Sequence, residues 1–293
     1  MMKHRRAFTL GLGAIVVAPL SPRAQKPLRT EAPRIVSVGS ALTEIVYALA
    51  AESLLVGVDT TSLYPAAARA LPQVGYMRAL SAEGVLSLKP TLVIATTAAG
   101  PTSTLDQLRA TSIEVLVLPD HYDYDSVVAK ITAVGHATGR EAKAEAMIAR
   151  GRAEMAELAS RLAKASSKPR VLFLLSMGGG APQAAGRDTA ADGIIRLAGG
   201  TNAIDGYSGY RPLTPEAVIA SHADVVLVTR QTVEAMGGIA AVLNQPALSL
   251  TPAGRAGKVL QFDTLLLLGF GPRMPQAAQE LAMALHPELA RAP

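Results

Sequence analysis

The 293-residue chain contains no cysteine. That excludes disulfides, thiolate metal centres and a cysteine nucleophile, and with them a cysteine-linked lipid anchor. Tryptophan is also absent, and there are only 4 phenylalanines and 7 tyrosines, so the core must be built from aliphatic side chains. The histidines, His4, His121, His136, His222 and His286, are scattered. No two stand three or four residues apart, which argues against a zinc-type cluster. No Gly-x-Ser-x-Gly elbow and no Gly-x-x-x-x-Gly-Lys phosphate loop occurs. Gly178-Gly179-Gly180 follows an apolar run without the later glycine of a dinucleotide fingerprint, so it reads as a turn or a close backbone approach. Asp120, His121 and Asp123 suggest acid/base chemistry, but a polar loop after a strand is the plainer account. Nothing in the chain demands catalysis, and it is read as a binding protein rather than an enzyme.

What is present begins with a basic, then apolar, N-terminus. Residues 1–24 hold Lys3, Arg5, Arg6 and Arg23 and no acids, followed by a short apolar block at 11–18 and a small residue at the end. That is the composition of an export signal, and Arg5-Arg6-Ala7-Phe8 resembles a twin-arginine type. The block is far short of the ~20 residues that span a bilayer. The whole chain carries 28 basic and 23 acidic residues. Without residues 1–24 the balance is 24 to 23, so the high pI belongs to the signal and implies no nucleic-acid partner. The expected product is a free, monomeric periplasmic protein.

After a Pro-rich leader at 25–33, apolar runs alternate with helical stretches. Strands are predicted at 34–38, 54–58, 91–95 and 114–118, with helices opening at Gly39, around 81–88 and around 103–111. Near-continuous apolar strands separated by helices indicate a parallel sheet covered on both faces. The rhythm restarts with strands at 170–175, 223–228 and 258–262 and helices at 188–198 and 275–286. Between the halves, residues 139–166 are rich in strong helix formers. Ala144, Met147, Ile148, Met155, Leu158 and Leu162 recur there at helical spacing. The expected fold class is α/β: two Rossmann-like lobes with parallel sheets, an N-terminal lobe at 34–137 and a C-terminal lobe at 168–293. One long helix at 138–167 joins them, with a ligand cleft between the lobes.

The segment Gly75-Tyr76-Met77-Arg78-Ala79-Leu80-Ser81-Ala82-Glu83 is the most informative. A phenol near a fixed cation suits ferric iron, and haem iron accepts a tyrosine as axial ligand. A guanidinium or the metal favours the phenolate that an ordinary tyrosine, titrating near ~10, lacks at neutral pH. A tyrosine that merely packs or hydrogen-bonds in its loop fits the same spacing.

This segment resembles the helix-linked class of substrate-binding proteins that serve bacterial ABC importers of haem, ferric siderophores and cobalamin. The likeness extends through Arg34-Ile35-Val36-Ser37-Val38-Gly39-Ser40-Ala41-Leu42-Thr43-Glu44, then Ala185-Gly186-Arg187-Asp188-Thr189 and Leu213-Thr214-Pro215-Glu216. Gly75-Tyr76-Met77-Arg78 makes it most similar to the periplasmic haem-binding proteins of hemin uptake. The resemblance implies haem as the transported ligand, with Tyr76 as its axial iron ligand and Arg78 hydrogen-bonding the phenolate. A ferric siderophore or cobalamin is the alternative ligand, and an exported hydrolase the more distant reading.

Haem carries carboxylates, for which Arg230, Arg273 and Arg187 are candidate partners. Some relatives place a histidine near the end of the strand opening the C-terminal lobe. Here that position offers Met177, which suits porphyrin contact. The resemblance further implies an inner-membrane ABC permease with its ATPase as partner, met by one exposed glutamate per lobe, Glu83 and Glu216. Both also suit the first turn of a helix, where the dipole favours a carboxylate.

Overall fold

The computed structural model describes residues 32–175, 183–245 and 247–290. The expected signal at 1–24, most of the leader, and Met177 with the triple glycine lie outside the described residues. The N-terminal lobe runs β1 (Ile35–Val38), α1 (Ser40–Ala48), β2 (Leu55–Val58), α2 (Ala82–Ser87), β3 (Leu92–Thr96), α3 (Thr102–Arg109), β4 (Glu114–Leu118) and α4 (Tyr124–Thr138). Its sheet is all parallel, in the order β2-β1-β3-β4. Every residue of β1 and β3 is buried, as expected for strands covered on both faces.

The helix α5 (Glu141–Leu162) follows, 22 residues and about 33 Å long. It begins two residues later than the sequence suggests, because Gly139 adopts φ 66 and closes α4 with a left-handed cap. Ala144, Gly151 and Leu158 form its buried seam. Tyr124 lies over Gly151, and a Cβ there would meet the phenol, so a larger residue would have to displace the ring.

The C-terminal lobe comprises β5 (Arg170–Leu175), β6 (Gln183–Ala185), α6 (Ala190–Leu197), β7 (Thr201–Asn202), β8 (Tyr210–Pro212), α7 (Pro215–Ala220), β9 (Val225–Thr229), α8 (Arg230–Met236), α9 (Ile239–Leu243), α10 (Pro252–Ala256), β10 (Val259–Phe262), α11 (Thr264–Leu268) and α12 (Met274–Leu285). Strands β10, β9 and β5 are parallel. The sheet then continues through antiparallel β6 and β8, so this lobe is mixed where the first is purely parallel.

The lobes share a core. One apolar cluster runs from Leu42, Ile45 and Val46 through Ile131 of α4 and Leu158 of α5 to Leu281 and Leu285 of α12, and on to Val171 and Phe173. The spine is therefore packed from both sides, which resists wide hinge opening. Two further clusters stay within single lobes. Among the described residues no helix is long and apolar enough to cross a membrane.

Candidate functional site

In open α/β sheets, ligands bind beyond the carboxyl ends of the strands. In the N-terminal lobe that edge is organised by Asp59, a fully buried residue just after β2. Its carboxylate accepts from the amides of Gly39 and Thr61, both at 2.9 Å, and from the hydroxyls of Thr61 and Ser62 at 2.6 and 2.8 Å. The turn pinned in this way donates the Thr60 amide to the Gly75 carbonyl at 3.0 Å, and Gly100, after β3, donates its amide to Met77 at 2.8 Å. The Tyr76 loop is thus tied to the ends of two strands.

Gly75 has φ 98, a conformation that costs other residues strain. The turn that follows is closed by the Ala79 amide on the Tyr76 carbonyl at 2.8 Å. It leaves the Tyr76 side chain 47% exposed, with no hydrogen bond among the described residues.

Arg78 is also exposed, and its charge is felt by tyrosines of both lobes. Burial raises the pKa of Tyr122, beyond β4, and Asp120 adds to this while Arg78 opposes it. Tyr210 of β8 is pushed up to about 12, first by burial and then by Tyr122. The Ala191 amide, the Thr189 hydroxyl and Arg78 only partly offset these. Tyr122 packs edge-on against Phe270 with centroids 5.4 Å apart, and Tyr210 against Phe173 at 6.4 Å. A Cβ on Gly193 of α6 would sit 2.5 Å from Tyr122. The Tyr76–Arg78 loop therefore borders the junction of the lobes. Sequence reading did not single out Tyr122 or Tyr210, although Gly209-Tyr210-Arg211 repeats the glycine, phenol and guanidinium of the first loop.

Of the three candidate arginines, Arg230 is exposed as the first residue of α8, and Arg187 is exposed beside the Tyr207 turn. Arg273 is engaged otherwise. Its Nε and Nη2 donate to the two carboxylate oxygens of Glu44 in α1 at 2.8 and 2.9 Å, and its guanidinium lies 3.6 Å from the Tyr64 ring centroid. Burial alone would lower its pKa, but Glu44, with Tyr64 and Asp263, outweighs this and holds it above its ordinary value. A bidentate pair stacked on an aromatic ring leaves this arginine a strut between the lobes, not an open carboxylate receptor.

Asp120, considered above for acid/base work, holds Lys130 at 2.9 Å. That lysine is fully buried, so the carboxylate neutralises an interior charge. His121 is exposed in the loop.

Glu83 and Glu216 are exposed at the second position of α2 and α7. Ser81 and Thr214 cap the two helices, each accepting a backbone N–H at 3.3 Å. The Glu216 carboxyl is held below the usual range, first by its own backbone amide and then by the Thr214 hydroxyl.

Comparison with known proteins agrees with this architecture. Residues 35–264 match the periplasmic binding protein family. The structure is similar to that of the periplasmic heme-binding protein BhuT in complex with two hemes: 42% identity, TM-score 0.84, covering 88% of this chain and 100% of that one. It is also similar to the periplasmic heme-binding protein RhuT from Roseiflexus sp. RS-1 in apo form, at 41% identity and TM-score 0.83 with the same coverage. A cobalamin-binding protein of Halobacterium salinarum is 28% identical over 279 residues, which are 92% of this chain and 74% of that protein.

Proposed function

The chain belongs to the periplasmic binding protein family, and from that premise we propose that it captures ferric haem between its lobes and delivers it to an inner-membrane ABC permease. The observation that carries this reading is Tyr76, half exposed on a loop tied to two strand ends, with Arg78 two residues on. A phenol in water needs only the metal and a neighbouring cation to bind as phenolate. Arg78 is exposed and free to turn toward it. Arg230 and Arg187 are the arginines still open to the haem carboxylates. Met177 is the residue proposed to touch the porphyrin from the C-terminal lobe.

Glu83 and Glu216, one per lobe, are the proposed docking charges for the permease, fixing register by charge complementarity. Residues 1–24 serve in this account as an export signal of twin-arginine type, and the mature protein acts as a monomer.

The test is a hemin titration of the mature protein followed by absorbance, with cobalamin as the competing ligand. A shifted Soret band with phenolate-to-iron charge-transfer features is the expected result, and loss of those features in Tyr76→Phe assigns the ligand. Binding of cobalamin with no Soret shift would transfer the chain to the cobalamin reading.

A further inference from the structure

The two lobes carry one surface unit in duplicate. Ser81-Ala82-Glu83-Gly84-Val85-Leu86-Ser87-Leu88-Lys89 leads into β3, and Thr214-Pro215-Glu216-Ala217-Val218-Ile219-Ala220-Ser221-His222 leads into β9. They match position for position, with no residue gained or lost between cap and strand. Each helix has six residues, a hydroxyl cap on the third following amide and a glutamate at its second position. Val85 and Val218 are the buried side chains. Two residues past each helix stands a non-glycine residue with positive φ, Lys89 at 46° and His222 at 45°. Their amides donate to Leu86 and Ile219 at 2.9 and 3.2 Å.

Leu86 and Ile219 themselves are 37% and 40% exposed. Each stands three residues after its glutamate, so carboxylate and aliphatic side chain share a helix face. One exposed aliphatic side chain on a helix is ordinary, so the signal lies in its recurrence. A large aliphatic side chain kept open at the same step beside the same charge, on both lobes, is a pattern that packing does not require.

We propose that Leu86 and Ile219 are apolar anchors of the docking surface, each seated in a hollow beside the cation that meets its glutamate. The partner is then a permease of two similar halves, each half offering a cation next to an apolar hollow. This rests on the reading of the chain as a carrier that docks through Glu83 and Glu216. It adds a short-range desolvated contact to a long-range charge contact. The charges govern approach, and the anchors govern dissociation.

The experiment uses the full mature protein with its haem-import permease and ATPase in vesicles, reading carrier-stimulated ATP hydrolysis against carrier concentration. The double variant Leu86→Ser with Ile219→Ser should raise the half-maximal concentration about 10- to 50-fold. The maximal rate, the hemin titration and the salt dependence should stay unchanged. Glu83→Ala with Glu216→Ala should instead reduce the salt dependence. An unaltered half-maximal concentration in the serine variant, with the glutamate variant impaired, would overturn the anchors and leave docking standing. Normal behaviour of both variants would remove the docking reading altogether. Weakened hemin binding in the serine variant would also overturn the proposal, by placing these side chains in the ligand's support.

Discussion

The two lobes carry nearly the same string, Gly75-Tyr76-Met77-Arg78-Ala79-Leu80-Ser81 in one and Gly209-Tyr210-Arg211-Pro212-Leu213-Thr214 in the other. Both begin on a glycine of positive φ, 98° and 83°, and both end on the hydroxyl that caps a helix. The first has one residue more, and its tyrosine opens a turn that leaves the residue 47% exposed. The second enters β8, where Tyr210 pairs with Ala185 and packs on Phe173. Burial then takes its pKa to about 12. One phenol is left exposed, and burial holds the other in its neutral form. The lesson is that environment, more than residue type, assigns the role.

The largest expected effect tests this asymmetry directly. Tyr76→Phe should weaken hemin binding by about 100-fold or more and abolish the charge-transfer features, because it removes the protein's oxygen ligand. Tyr210→Phe should change affinity by less than about 3-fold and leave the spectrum alone. Titrations of both variants against hemin decide it. An equal loss in both would mean that the two loops act as a pair.

The next effect concerns what holds the lobes in register around these loops. Glu44→Gln leaves the Arg273 guanidinium partly buried without its counter-charge, and should cost about 2 kcal/mol of stability in the ligand-free protein. The reverse change, Arg273→Gln, should cost a similar amount. A urea melt without hemin is the measurement. If Arg273 instead received a haem carboxylate, its variant would melt normally without ligand and lose affinity.

A smaller effect follows from Tyr210's raised pKa. A tyrosine in the unfolded chain titrates near ~10, below the folded value of about 12. Below pH ~10 both states are protonated and the contribution is constant. From there to about pH 12 the unfolded state releases its proton first, so stability falls as pH rises. Tyr210→Phe should make the loss between pH 10 and 12 shallower, as read from melts across that window. An unchanged slope would place the phenol in a wetter setting than its packing on Phe173 implies.

Strands β1, β3, β4 and β5 were legible because strands of a parallel sheet are written as unbroken apolar runs. The spine was legible because Ala144, Leu158 and their partly buried neighbours repeat at helical spacing. Helix α4 escaped for a physical reason: Ser126, Lys130 and Thr138 occupy its buried face, so the apolar stripe is interrupted. Helices of five to seven residues, such as α8 to α11, offer too few turns to set a period. At the site, Tyr76, Arg78 and the two glutamates lie in short local strings. The pairing of Glu44 with Arg273 joins residues 229 apart, and the reach of the Arg78 charge to Tyr210 crosses from one lobe to the other. Neither can be read along the chain.

The smallest effect examines where the lobes are alike. Ser81→Ala and Thr214→Ala each delete a cap contact of 3.3 Å, and each should cost about 0.5–1 kcal/mol. Their local consequences should differ. Pro215 presets the first turn of α7, whereas α2 carries Gly84 at its third position, a poor helix former. Loss of the cap should therefore fray α2 further, with a larger drop in amide-exchange protection at Gly84 than at Ala217. Since Glu83 and Leu86 ride on α2, Ser81→Ala should also impair permease coupling more than Thr214→Ala. Equal fraying of the two helices would mean that Val85 and Val218, buried in the same register, fix them more firmly than their caps do.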